Sequence, residues 1–207
     1  MSVAAVQSYS VARPSLTLRV TIGRQAPHSN VRREQTVMPE ELFDVVDDHD
    51  VVQRQAPRSQ VHANHWLHRA VHVFVFNSHG QLLLQMRSPW KDEHPSTYTS
   101  SASGHLGAGE TYAEAAPREL FEELGLTGEL EQLRKFPACP ATSYEHTVLY
   151  RLITDEPPRI DPQEIAEVSF HSLEEIFDML SREPEKFSPC LVTLFRWYVS
   201  AIRRSPS

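Results

Sequence analysis

The segment from residue 104 to residue 126, GHLGAGETYAEAAPRELFEELGL, restricts the possible folds of this chain more than any other stretch. Its second half carries the signals of a helix. Thr111 followed three residues later by Glu114 is a capping box, and Gly125 suits the left-handed position just past a helix end. Pro117 is discordant, because a proline inside a helix removes one hydrogen bond and costs ~3 kcal/mol or more. We therefore predict a loop, a helix and a second loop, in which Pro117 either kinks the helix or delays its regular part.

The predicted helix has an apolar face and an acidic face. Residues at i, i+4 and i+8 form the predicted buried face: Ala116, Leu120 and Leu124. Glu119, Glu122 and Glu123 stand at i, i+3 and i+4, where like charges oppose each other by about 0.2 to 0.5 kcal/mol per pair. Most glutamate-rich faces are simply solvated. A divalent cation among the carboxylates would make this arrangement favourable, and Mg²⁺ takes such oxygen ligands.

The whole segment also matches a known signature. With its spacings it reads Gly104, five residues, Glu110, seven residues, Arg118-Glu119-Leu120, one residue, Glu122-Glu123, one residue, Gly125-Leu126. This is the Nudix pattern G-x5-E-x7-R-E-U-x-E-E-x-G-U, where U is aliphatic. Its fixed identities would coincide by chance on the order of 10⁻⁸ per starting position. The chain therefore resembles the Nudix family.

The resemblance implies a fold of the α/β (α+β) class, a Nudix-type α/β/α sandwich with a mixed central sheet. The implied activity is hydrolysis of a diphosphate linked to another moiety, with Mg²⁺ or Mn²⁺ as cofactor. Carried over by position, Glu119, Glu122 and Glu123 would hold the metal, and the carbonyl group of Gly104 would face it. Arg118 would orient the carboxylates. Glu122 is the candidate that activates water, although another of the three or a carboxylate outside the segment remains an alternative.

Other stretches resemble the Nudix subgroup related to isopentenyl diphosphate isomerase. These are HRAVHVFVF, LLLQMRS and SASGH, and the resemblance extends over about residues 41–200. It implies that Arg87 and Lys91 grip the substrate diphosphate, for which two cations are electrostatically suited. Ordinary solvated loop charges are the alternative interpretation.

The isomerases also bind a divalent metal through histidines and glutamates. Candidate equivalents in this chain are His62, His65, His68, His105 and Glu145, although the spacing of the first histidines does not match cleanly. A histidine on or beside a strand is more often a packed or exposed residue than a ligand. We expect His105 to be the best of these candidates.

Ser103 separates the possible activities. In the isomerases a catalytic cysteine immediately precedes the Gly-His pair, whereas this chain has a serine, which is far less acidic than a thiol. We therefore favour a hydrolase over an isomerase. A third alternative is a non-catalytic, nucleotide-binding Nudix domain, which would have little need for the complete set of carboxylates.

The remaining sequence predicts strands around this segment and two helices after it. The predicted strands include a hairpin (LFDVV and VVQRQ), residues 69–76 paired with residues 81–88 through a turn near Gly80, TYTSSAS ending at Ser103, residues 130–136 and residues 146–153. Ser172 and Glu175 form a capping box, and Ile176, Phe177 and Leu180 are the predicted buried stripe of the helix that follows. Ser188 and Pro189 begin the last predicted helix.

Charge divides the chain into an extension, residues 1–38, and a Nudix domain, residues 39–207. Residues 1–33 hold five arginines and no acid, and because the net charge is −7, the remainder carries −12. Such an acidic body disfavours nucleic acid as a partner. The extension resembles a transit peptide. The alternatives are a disordered tail, or sequence upstream of a true start at Met38. No apolar run reaches the ~18 residues that a membrane span needs, so we expect a soluble cytoplasmic protein that does not bind membranes. Exposed strands near Glu41 suggest a homodimer.

Overall fold

The computed structural model of the chain describes residues 40–203. The predicted extension, residues 1–38, lies outside the described residues. No helix within the described range is both long and apolar enough to cross a membrane.

Nine strands and four helices follow one another within residues 40–203. The strands are β1 (Leu42–Val46), β2 (Val52–Pro57), β3 (His68–Phe76), β4 (Leu82–Arg87), β5 (Tyr98–Thr99), β6 (Ala102–His105), β7 (Glu131–Phe136), β8 (Glu145–Ile153) and β9 (Ile165–His171). The helices are α1 (Arg58–Ala63), α2 (Tyr112–Leu124), α3 (Leu173–Arg182) and α4 (Pro189–Ile202). Short 3₁₀ turns lie at Pro140–Thr142 and Pro184–Lys186.

The strands form a hairpin and a mixed sheet. β1 and β2 pair with each other, and the other seven strands form the sheet, in which β3 and β8 are parallel. β3 is buried along its length except at Arg69, as expected for a central strand that is apolar on both faces. Its partners are β8 on one side and β6 on the other, while β4 pairs with β5 and β9.

Helices cover both faces of the sheet. On one face α2 buries Ala116, Leu120 and Leu124 against residues of β3 and β8, which confirms the predicted apolar face. On the other face α4 packs Leu191, Leu194 and other side chains against the aromatic residues of β3. The predicted α/β/α sandwich with a mixed sheet is therefore confirmed.

Several details of the prediction were wrong. β3 and β4 pair only next to their turn, at Phe76 and Leu82, because β6 takes the place beside β3 farther along. TYTSSAS forms two short strands rather than one. Strand β9 and the short helix α1 were not predicted. Phe177 is 57% exposed, so it is not part of the buried stripe that Ile176 anchors.

Helix α2 is continuous from Tyr112 to Leu124 and includes Pro117, so a later helix start is wrong. The predicted caps are present, with Glu114 accepting a hydrogen bond from the Thr111 N–H at 2.9 Å and Gly125 at φ 63°. Ala113, which loses its partner to Pro117, is an exposed residue like the proline itself. Water can therefore replace the missing hydrogen bond.

Candidate active site

One cavity of about 510 Å³ collects most of the predicted site residues. Those on its wall are Arg87, Lys91, Gly104, His105, Arg118, Glu119, Glu122, Glu123 and Glu145. His68 lies next to the wall, with its ring 5.1 Å from that of His105. Residues that are far apart in the sequence thus share one site.

Strand pairing brings His68, His105 and Glu145 together. His68 and Glu145 are partners across the parallel β3–β8 ladder, and Ala70 pairs with His105 across the antiparallel β3–β6 ladder. Alternate residues of a strand point to the same face, so His68 and Ala70 share a face of β3. The register of the sheet therefore places both histidines beside the carboxylate.

Three imidazoles form a compact group here. The ring centroids of His62, His68 and His105 lie 5.0 to 5.2 Å from one another, and Phe43 packs against them. One nitrogen from each ring falls within a group whose atoms are all within 4.8 Å of one another. His65 does not join this group, because it is exposed and packs on Tyr144.

The protonation of His68 leaves a lone pair directed at the cluster. Nδ1 lies 2.9 Å from the carbonyl oxygen of Trp66, which can only accept, so Nδ1 carries the proton and Nε2 the lone pair. That Nε2 lies 3.6 Å from Oε1 of Glu145 and, like the buried Nε2 of His62, has no hydrogen-bond partner among residues 40–203. A lone pair facing a carboxylate requires a proton or a metal cation between them, so the cluster fits a divalent metal.

Glu145 is anionic in this setting. Burial opposes its ionisation, but the hydrogen bond from His105 at 3.0 Å is the largest of the interactions that outweigh that cost. The pKa of Glu145 is consequently held well below its usual range. A buried carboxylate stays charged only when a cationic partner or a metal ion compensates it.

Arg118 lies at the centre of the segment that carries the Nudix pattern, residues 104–126, which we call the box. Its Nη1 is 2.6 Å from Glu119 Oε1 and 3.1 Å from Glu122 Oε2, and its Nε and Nη2 each lie 2.7 Å from an oxygen of Glu110. The hydrogen bonds with Glu110 raise the pKa of Arg118 and lower that of Glu110. These contacts are the ones that the predicted orienting role requires, and the role itself stays a prediction.

Two box glutamates resist ionisation. Burial raises the pKa of Glu119 to about 7 in spite of Arg118, and it raises the pKa of Glu123 to about 8 in spite of a 3.0 Å hydrogen bond from the Ser103 N–H. Gln85 also donates to Glu123, at 3.1 Å. Arg118, by contrast, forms hydrogen bonds with Glu119 and Glu122. The three carboxylates therefore lie on the same cavity wall but do not point at one common position. A divalent cation bound among them would favour the charged forms of Glu119 and Glu123 and so lower their pKa values.

Gly104 lets β6 approach α2 closely. A Cβ atom at this position would lie 2.1 Å from the carboxyl carbon of Glu119, far inside van der Waals contact. At Gly107, by contrast, the nearest atom to a Cβ would be Glu110 Oε2 at 3.7 Å. The glycine that opens the box is thus needed to seat Glu119.

The two predicted diphosphate-binding cations lie on the cavity wall, each with a protein partner. Arg87 Nε donates to the carbonyl oxygen of Glu93 at 3.0 Å, and Lys91 forms an ion pair with Glu164. The partners hold both side chains in place at the wall. Whether they bind a diphosphate stays a prediction.

His72 and Cys190 are among the wall residues that were not predicted from the sequence. His72 Nε2 is 3.3 Å from Cys190 Sγ. His72 lies four residues after His68 on β3, so both point to the same face of the strand, and this spacing could have identified His72. No local pattern marks Cys190, because only the packing of α4 against the sheet brings it here.

Comparison with known proteins agrees with this architecture. The family model of the NUDIX domain matches residues 66–194. The chain is 33% identical over 162 residues to an isopentenyl-diphosphate Delta-isomerase of Serratia proteamaculans, covering 76% of this chain and 90% of the relative. It is 34% identical over 137 residues to an uncharacterized Nudix hydrolase of Yersinia pestis, covering 66% and 75%.

Solved structures show the same fold. A crystal structure of a Deinococcus radiodurans protein matches with a TM-score of 0.66 and 29% identity, over 75% of this chain and 98% of that one. The NUDIX domain of Shewanella oneidensis NrtR, solved with ADP ribose, matches with a TM-score of 0.53 and 15% identity, over 71% and 99%. At that identity the second likeness concerns the fold alone.

Proposed function

Because this chain belongs to the Nudix family, we propose that it is a metal-dependent hydrolase that cleaves a diphosphate linkage in a small molecule, such as a nucleoside or isoprenoid diphosphate. The observation that carries this proposal is that the three predicted metal ligands, Glu119, Glu122 and Glu123, share one cavity wall with Arg87 and Lys91. Carboxyl groups suited to a metal and cationic groups suited to a diphosphate thus face the same space. This pairing is what cleavage at a phosphorus centre requires.

Each residue has a distinct part in the proposal. Mg²⁺ or Mn²⁺, held by Glu119, Glu122 and Glu123, would neutralise charge on phosphoryl oxygens and lower the pKa of water. Glu122 accepts a proton from the attacking water. Arg118 acts through the carboxylates, whose positions it sets with hydrogen bonds of 2.6 and 3.1 Å.

An isopentenyl diphosphate isomerase is the second candidate. It is favoured by the names of relatives about as similar to this chain as the hydrolases, and by the cluster of His62, His68, His105 and Glu145. Ser103 weighs against it, since this position holds the catalytic cysteine of the isomerases that the sequence resembles. A nucleotide-binding domain without activity is the third candidate, and the complete box weighs against that.

A substrate panel tests the three candidates. Nucleoside and isoprenoid diphosphates are incubated with Mg²⁺ or Mn²⁺, and released phosphate is followed together with solvent deuterium entering isopentenyl diphosphate. We expect metal-dependent phosphate release without deuterium entry. Deuterium entry alone would establish the isomerase, and saturable binding with neither reaction would establish the binding domain.

Removing the predicted diphosphate grip should weaken substrate binding more than turnover. We expect Arg87→Ala and Lys91→Ala each to raise KM by about ten-fold or more, since a charge-assisted hydrogen bond contributes ~1.5 to 3 kcal/mol. Lys186→Ala and Arg196→Ala are controls, because these cations lie outside the lining of the cavity. A KM unchanged in both cavity variants would assign Arg87 to its hydrogen bond with the Glu93 carbonyl and Lys91 to its ion pair with Glu164, both structural roles.

A further inference from the structure

A second group of potential ligands lies deeper in the same cavity. It consists of His72 on β3, Cys190 in the first turn of α4 and Glu145 on β8, and one atom from each lies within 4.8 Å of the others. Their side chains are buried, with residue exposures of 5%, 5% and 6%. Imidazole, thiol and carboxylate thus converge in a place that is shielded from bulk water and open to the cavity.

The hydrogen bonds of His72 leave Nε2 free to act as a ligand. Ser100 Oγ donates its one proton to the carbonyl oxygen of Ala102 at 3.3 Å, so it accepts from His72 Nδ1 at 2.5 Å. The ring proton is therefore on Nδ1, and the Nε2 lone pair is directed at Cys190. Ligating histidines usually have this arrangement, in which the other ring nitrogen donates to an oxygen that fixes the ring.

The position of Cys190 suits a thiolate ligand. Burial and the nearby Glu145 raise the pKa of the Cys190 thiol, so a thiolate here requires a bound cation. Cys190 is the second residue of α4, where the positive end of the helix dipole offsets part of that cost. His72 Nε2 and Cys190 Sγ are 3.3 Å apart. Two such ligands on one tetrahedral zinc ion lie ~3.5 Å apart, given usual bond lengths of about 2.0 to 2.3 Å. The pair therefore needs only a small adjustment to bind a cation.

Glu145 supplies negative charge between the two groups. Its Oε1 is the atom that contacts His105 and His68, and a carboxylate has a second oxygen for another partner. Carboxylates that serve two cations in this way are common in two-metal sites. The two groups thus share Glu145 but differ in their remaining ligands.

We propose that His72 Nε2, Cys190 Sγ and a Glu145 oxygen form a binding site for a d-block divalent cation such as Zn²⁺, with one coordination position open to the cavity. The nitrogen and sulfur ligands favour such a cation over Mg²⁺. Three protein ligands with an open fourth position resemble catalytic rather than structural zinc sites. On binding, the thiol proton leaves to solvent and the sulfur binds as thiolate.

The probe is Co²⁺, added to the metal-free protein in excess Mg²⁺, which occupies sites made of oxygen ligands. Sulfur bound to Co²⁺ gives a charge-transfer absorption in the near ultraviolet that nitrogen and oxygen ligands do not give. The chain has two cysteines, and Cys139 lies outside the proposed site. Because the histidine cluster can take one equivalent without giving the band, we expect the wild type and the matched control Cys139→Ser to show it by two equivalents of Co²⁺, and Cys190→Ser to lose it.

A further variant separates the two ligand groups. His62→Gln removes a residue that belongs only to the histidine cluster, so the band should persist. If Cys190→Ser fails to fold, as judged by circular dichroism, mass spectrometry of the alkylated wild type replaces it. Zn²⁺ should then protect Cys190 but not Cys139. The proposal is overturned if the wild type lacks the band, if a folded Cys190→Ser keeps the band, or if His62→Gln loses it. Equal alkylation of Cys190 with and without Zn²⁺ would also overturn it.

Discussion

Glu122 is the most accessible of the three box glutamates. Its side chain is 56% exposed, compared with 12% for Glu119, and Glu123 is buried. A residue that takes a proton from water has to be accessible to that water, whereas the less exposed carboxylates of Glu119 and Glu123 on the same helix are suited to holding a cation. Exposure therefore supports Glu122 as the proposed base.

Glu122→Gln should lower kcat by about 10² to 10⁴, the usual contribution of general base catalysis. The amide is nearly isosteric but cannot take up the proton. The measurement is steady-state kinetics on the substrate that the panel identifies, with Glu174→Gln, an exposed helical glutamate outside the lining of the cavity, as the control. An unchanged kcat in Glu122→Gln would remove this residue from the proposed mechanism.

The approach of strand β6 to helix α2 sets the position of Glu119. The strand carries Gly104, and the N–H of Ser103 on the same strand donates a hydrogen bond to Glu123. From the helix, Arg118 donates to the His105 carbonyl oxygen at 3.0 Å. The two elements therefore hold each other through the residues that form the site. Small changes in their separation should change metal binding before they change stability.

Gly104→Ala tests this element directly. The added methyl group meets the flexible end of Glu119, which can move aside, so we expect a change in melting temperature of only a few degrees. Mg²⁺ affinity, measured by calorimetry, should fall by about ten-fold or more. Gly107→Ala is the matched control, because its methyl group would make ordinary contacts. Equal Mg²⁺ affinity in the two variants would show that the close approach does not matter for the metal.

The stability of the molecule should depend on pH through Glu123. Its folded pKa of about 8 lies above the ordinary value of 4.5, so the folded state binds the proton more tightly than the unfolded state. Without metal, this group favours folding at low pH, and that contribution is lost as pH rises from about 4.5 to 8. Mg²⁺ should restore stability at high pH.

Glu123→Gln isolates this effect, since the amide stays neutral and its oxygen can still accept from Ser103. In metal-free buffer the two proteins should have similar free energies of unfolding near pH 5, while the variant should be more stable near pH 9, on the order of a few kcal/mol. Urea unfolding at both pH values measures the difference. A difference that does not change with pH would mean that burial does not perturb Glu123.

Sequence patterns sufficed for the elements whose signals are local. The capping box, the Gly125 cap and the apolar spacing of α2 were all predicted, because each depends on residues within a few positions of one another. β9 was missed because its strand character comes from pairing with β4, and Phe177 was misplaced because helical spacing cannot tell which neighbour covers a side chain. The dimer predicted from the strands near Glu41 stays a prediction.

By itself, the sequence determined the family, the α/β/α class and the carboxylate-bearing helix, because fixed spacings along one helix and its loop specify these without reference to distant parts of the chain. Only the tertiary structure decided which distant groups join that helix. The β3–β8 register brought Glu145 to the histidines, and the packing of α4 brought Cys190 to His72. Strand register and helix packing depend on long-range burial, which local spacing does not encode. The sequence therefore predicted the glutamates of helix α2 and the candidate histidines, whereas only the folded chain brings His62, His68 and His105 into one cluster and adds a buried His72–Cys190 pair on the same cavity.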